Sequence, residues 1–129
     1  MTNLPITLVT ACVAGLMLIW LSVRVISVRF KGEVVIGDGD SEDLLFKIRT
    51  HANFSEYVPL FLIILGLVEG AGGGSTLLMI LAGVFIVARV CHVLGMGSEA
   101  NLTFRQLGIV GTFLCIACTS LYGLYMALS

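Results

Sequence analysis

Arg49, Asn53 and Glu56 stand at i, i+4 and i+7 just ahead of the apolar run Leu60-Phe61-Leu62-Ile63-Ile64-Leu65. On an α-helix that spacing brings a guanidinium, an amide and a carboxylate into one narrow sector, while His51 points roughly the opposite way. Unpaired polar groups buried in apolar surroundings cost several kcal/mol, so such a stripe needs partners or a ligand. A second set follows one helix later, with Arg89, His92 and Met96 at i, i+3 and i+7, and Arg105 opens the last apolar stretch. Beyond the first turn of the second helix, Glu56 is the one acid facing several guanidiniums at this end. Guanidinium groups stay charged and hold carboxylates bidentately. Several arginines with one carboxylate and one amide therefore suit a small anionic ligand that also carries an amine, such as an amino acid or peptide.

The elements that must carry these residues follow from composition. Of 129 residues 58% are hydrophobic and 12% charged, and the mean hydropathy is +1.08. A water-soluble domain carries about 25% charged residues. Half that share leaves too few polar groups to cover a water-facing surface, so an integral membrane protein is expected. The expected fold is all-α, a single four-helix membrane bundle with spans of about 4–27, 43–68, 76–95 and 105–127, each long enough to cross ~30 Å of hydrocarbon. The net charge of −1 gives no basic field for nucleic acid.

Charge placement predicts the topology. All seven Lys and Arg residues (Arg24, Arg29, Lys31, Lys47, Arg49, Arg89, Arg105) cluster at one end of an up-and-down bundle. The positive-inside rule then puts both termini outside and both basic loops in the cytoplasm. The first helix lacks a basic leader before it, so it is expected to be retained, not removed as a signal peptide. Arg24, Arg29 and Lys31 can snorkel to the interface; Asn53 and Glu56 are too short for that. Intramembrane ionisable groups point by default to a functional site, the alternative being an internal lattice such as Arg49 or Arg89 against Glu56.

The remaining features read more plainly. Asp38 to Arg49 resembles a calcium loop in its acids, but its sixth place is Asp43 and its twelfth Arg49, so calcium is rejected. Asp40 or Ser41 is the expected N-cap of the second helix. Pro59 removes one backbone donor and is expected to kink that helix. Cys115-Ile-Ala-Cys118 has redox spacing but lies mid-span, where small packing residues are the simpler reading. Tyr122 and Tyr125 suit an interfacial belt. Ala11-x-x-x-Gly15 and Gly66-x-x-x-Gly70 permit close helix packing. No pattern of metal ligands is present.

Arg49-x-His51-x-Asn53-x-x-Glu56-Tyr57-x-Pro59-Leu60, then Ala88-Arg89-x-x-His92-x-x-Gly95, then Phe104-Arg105-x-x-Gly108, resembles the MAPEG family, the membrane-associated proteins in eicosanoid and glutathione metabolism. The likeness covers nearly the whole chain, and Gly37-Asp38-Gly39-Asp40 looks most like the bacterial YecN-type branch. The resemblance implies a homotrimer with glutathione as co-substrate between neighbouring subunits, on the cytoplasmic side. It implies that Arg49 pairs with a glutathione carboxylate, that Asn53 and Glu56 hold the γ-glutamyl end, and that Tyr57, Arg29, Arg89 and His92 complete the binding site. Arg105 would face the thiol. A guanidinium beside a thiol favours the nucleophilic thiolate, which would attack a lipophilic electrophile or hydroperoxide arriving from the membrane lipid. One departure is Met96, where active members carry Tyr; a thioether cannot donate a phenol's hydrogen bond. Three readings stay open at this point: a glutathione transferase or peroxidase, a non-catalytic binder of glutathione or lipid, and a structural or transport bundle that uses its charges for packing.

Overall fold

The computed structural model describes residues 3–97 and 101–129. Among them run α1 (Pro5–Gly32), α2 (Glu42–Gly70), α3 (Ser75–Leu94) and α4 (Leu102–Leu128). All four are long and apolar enough to cross a membrane. Large apolar side chains cover the outside, with Leu16, Ile63 and Leu121 among those pointing outward. Water would not tolerate that surface, whereas hydrocarbon does.

The helix ends follow local chemistry. Pro5 opens α1, where a missing N–H costs nothing. Of the two expected caps for α2, Ser41 takes the role, its Oγ accepting from the Leu44 N–H at 3.3 Å. Helix α2 then runs unbroken through Pro59. It ends in a Schellman turn: Gly72 has φ of 85° and the Gly73 N–H donates to the Val68 carbonyl at 2.9 Å. Helix α4 starts at Leu102, earlier than the expected 105, because the Asn101 side chain accepts from the N–H groups of Thr103 and Phe104. Helix α1 likewise continues past its expected span to Gly32, closed by Glu33 in the left-handed region. The loop expected at 96–103 includes residues 98–100, which lie outside the described residues.

Helices α2 and α3 form the central pair of the bundle. Both touch α1 and α4, whereas α1 and α4 do not touch each other and occupy opposite corners. The shared core stacks Phe61 of α2 on Phe85 of α3, with ring centroids 3.8 Å apart, between Leu65, Leu78 and Phe54. At the end away from the basic residues, the Glu69 carboxylate caps α1 from the neighbouring helix. The Ile6 N–H donates to Oε1 at 2.9 Å, and the Thr7 N–H and hydroxyl donate to Oε2 at 2.8 and 2.6 Å. Tyr122, expected only as a belt residue, also accepts from the Gly74 N–H at 2.9 Å and so fastens the α2–α3 turn.

The closest helix crossing is not at either small-residue motif named from the sequence. It joins α3 to α4 through Gly95, Gly108 and Gly111. A Cβ on Gly108 would lie 2.5 Å from the His92 backbone nitrogen, and one on Gly95 would run into the Arg105 backbone. A Cβ on Gly66 would meet the Thr7 side chain at an ordinary 3.4 Å, and one on Gly15 would meet nothing within 4 Å. Backbone-to-backbone approach is what glycine provides in a membrane, where close packing, together with interhelical hydrogen bonds, must hold helices together.

Candidate functional site

The glycine crossing of α3 on α4 sets Arg105 beside Gly95 and His92 beside Gly108. One turn deeper in α3 lies Arg89, 1% exposed. Its Nη2 donates to Asn53 Oδ1 of α2 at 2.6 Å and its Nη1 donates to Thr112 Oγ1 of α4 at 3.1 Å. Thr112 passes its own hydroxyl proton to the Gly108 carbonyl at 2.7 Å. The guanidinium carbon also sits 5.8 Å from the Phe54 ring centroid, within cation–π range. Arg89 thus ties three helices together through neutral partners. Its Nε, and His92 Nδ1 one turn further on, are buried with no hydrogen-bond partner among the described residues.

A cavity of about 140 Å³ opens at this knot, lined by Asn53, Tyr57, Arg89, Ile109, Thr112 and Phe113. The Tyr57 ring tilts onto Phe113 at 5.5 Å, joining α2 to α4 along the cavity wall. Asn53, Tyr57 and Arg89, named from the sequence, therefore meet in one place. Thr112 was not anticipated; its signal was a hydroxyl one turn past Gly108 on an otherwise apolar face.

The other expected residues are distributed around this knot. Arg49 and Glu56 continue the Asn53 stripe on α2 but are exposed. Arg105 is exposed in the first turn of α4. His92 is buried against α4, and Met96 is half-buried in the turn after α3. Arg29 sits on the α1 corner, donating to the carbonyls of Val34 and Val35 at 3.5 and 3.3 Å. His51, on the opposite face of α2, meets Ser22 of α1 at 3.1 Å. The Ser22 proton is given to the Leu18 carbonyl, so His51 Nε2 is the donor in that contact.

The expected alternative of an internal Arg–Glu lattice does not form. Among the described residues the one ion pair is Lys47 with Asp43, within the first turns of α2. Glu56 is exposed, while Arg89 takes the uncharged partners Asn53 and Thr112 instead. A larger groove of about 880 Å³ lies at the far end between α1 and α3, lined by Val9, Val13, Met79 and Ile86, and holds none of these cations. The smaller cavity is where Asn53, Tyr57, Arg89 and Thr112 converge.

Comparison with known proteins agrees with this layout: the family model matching the chain is the MAPEG family, over residues 7–125. The chain belongs to the MAPEG family. Among curated proteins this MAPEG chain is 27% identical over 103 residues to the inner membrane protein YecN of Escherichia coli, covering 80% of this chain and 78% of YecN, in each of two strains. That likeness places it in the YecN-like branch. No solved structure matches. The fold is accordingly that of a multi-pass membrane protein, with four membrane-length helices among the described residues.

Proposed function

We propose that this MAPEG protein binds glutathione between copies of a homotrimer and activates its thiol for attack on lipophilic electrophiles or hydroperoxides from the bilayer. The observation that carries this reading is the Asn53–Arg89–Thr112 knot, a buried cation without a carboxylate among the described residues, beside a cavity that Tyr57 also lines. An uncompensated charge in low dielectric is costly, and an anionic ligand supplies the missing counter-charge.

Size and topology support the intersubunit placement. A small-molecule site occupies roughly 300–1,000 Å³, so about 140 Å³ admits one end of a tripeptide and leaves the rest against the outer surface. Arg29 and Arg105 lie on helices that do not touch. In this reading a site using both arginines is assembled from two copies. Exposed Arg49 and Glu56 then supply a carboxylate contact and an ammonium contact, with His92 behind them. Arg105, in the first turn of α4, adds its charge to the positive end of the helix dipole, and both favour a thiolate there. By likeness to YecN the membrane is a bacterial inner membrane, and by the charge rule both termini are outside and the site is cytoplasmic.

The test is ultraviolet difference absorbance of the detergent-purified protein as glutathione is added. A saturating thiolate band at neutral pH, below the ordinary thiol pKa of roughly 8.5, is expected, and Arg105→Ala should abolish it while glutathione still binds. An unchanged band in Arg105→Ala would remove Arg105 from thiol activation. Met96 supports a second reading, a non-catalytic glutathione binder, because the thioether provides no proton donor where active members have a phenol. Equilibrium binding without a thiolate band is the result expected of that reading.

A further inference from the structure

Asn53 has two faces, and Arg89 has only donors. The side-chain oxygen of Asn53 must therefore be the atom turned to the guanidinium, as the 2.6 Å contact has it. The Nδ2 amide protons are then free to donate into the cavity that Asn53 lines, while the oxygen's second lone pair, held against a guanidinium, is an unfavourable place for a cation. Arg89 is itself 1% exposed, and its Nη2 is already held by Asn53. Its second arm is held by Thr112, whose proton is already committed to the Gly108 carbonyl, so this hydroxyl can only accept from Arg89. Every polarity in the chain runs one way, from Arg89 outward.

We infer that Arg89 is a positioning residue that acts through Asn53, locking its amide as a hydrogen-bond donor and so selecting a carboxylate oxygen, not an ammonium, at that point of the ligand. This rests on the glutathione reading and assigns its polarity: the glutamyl α-carboxylate goes to Asn53, and the ammonium is left for Glu56. The guanidinium polarises the amide it holds, which strengthens the Nδ2 donor in a low-dielectric site. Arg89 also supplies the positive potential that draws the carboxylate in, without touching it.

The experiment compares equilibrium binding of glutathione with that of an analogue whose glutamyl α-carboxylate is a carboxamide. Wild type should prefer glutathione by roughly ten- to a hundredfold, the worth of a charge-assisted hydrogen bond. Asn53→Asp is close to isosteric and pairs directly with Arg89, so it should fold. It presents a carboxylate to the ligand, and the preference should vanish or invert because the carboxamide can donate to it. Arg89→Lys, which cannot span Asn53 and Thr112 together, should lose most of the preference while keeping some affinity for glutathione. An Asn53→Asp variant with the wild-type preference, or a wild type that binds both ligands equally well, would overturn the inference and leave the glutathione site standing. Full preference retained in Arg89→Lys would overturn the part played by Arg89; should that variant not fold, Arg89→Gln, which keeps an amide donor to Asn53 but no charge, is read by the same criterion. A wild type that binds neither ligand would overturn the glutathione reading itself, and this inference with it.

Discussion

Arg89 holds its charge in the interior with an amide, a hydroxyl and an aromatic face, and with no acid among the described residues. Breaking such a network leaves the remaining partners buried and unpaired, which costs more than the bond itself contributes. Thr112→Val, nearly isosteric, should therefore lower stability by about 1–3 kcal/mol, read as a lower midpoint of thermal unfolding in detergent. No change would mean that water replaces the hydroxyl. Glu69 has a comparable local duty at the other end, where it satisfies two N–H groups of the first turn of α1 that have no cap of their own. Glu69→Ala should cost about 1–2 kcal/mol, in the range of a lost N-cap. Because Glu69 is remote from the Arg89 cavity, glutathione affinity should stay within a factor of two or so of wild type, as for independent sites.

At the scale of elements, the α3–α4 crossing decides where Arg105 stands relative to Arg89. Gly108 admits the His92 backbone and Gly95 admits the Arg105 backbone, so no side chain separates the two helices there. Gly108→Ala puts a methyl where the other backbone already is, and rigid backbone cannot give way as a flexible side chain can. Overpacking of this kind costs about 1–3 kcal/mol. The thiolate band should weaken more than glutathione binding does, since α4 carries Arg105 and α2 carries Asn53. Equal loss of both would point to general unfolding. The start of α4 is a second lever. Asn101→Ala removes two cap bonds at the turn that carries Arg105, and about 1 kcal/mol of helix stability with them. Helix four begins earlier than the apolar run suggests for this reason: a cap is a single polar residue, and hydropathy does not register it.

For the whole molecule, the arrangement with α1 and α4 at opposite corners has a measurable consequence. If Arg29 and Arg105 serve one site, each comes from a different copy. Arg29→Ala and Arg105→Ala subunits, each defective alone, should complement when co-assembled, with about a quarter of the interfaces carrying both native arginines under random mixing. Thiolate formation in the mixture at roughly that fraction is the expected outcome. A mixture as inactive as its components would place the two arginines in separate roles.

Much of this protein could be read from residue order alone, because the membrane imposes a simple grammar. Apolar stretches of bilayer length had to be helices, since hydrocarbon leaves backbone groups no other partner. The i, i+4 spacing of Arg49 and Asn53 put them on one face of α2 whatever they touched. His51 was bound to the other face for the same reason. The partner of each polar group was decided only by tertiary packing. Sequence spacing offered Glu56 to Arg89 as readily as it offered Asn53, and opposite charge made Glu56 the more obvious choice. Which of them lies within 3 Å depends on how α2 and α3 are rotated against each other, and that is set by core stacking such as Phe61 on Phe85. Thr112 and the α3–α4 glycines became part of the site for the same reason. Their roles depend on a crossing point between helices, and that is a property of two segments at once.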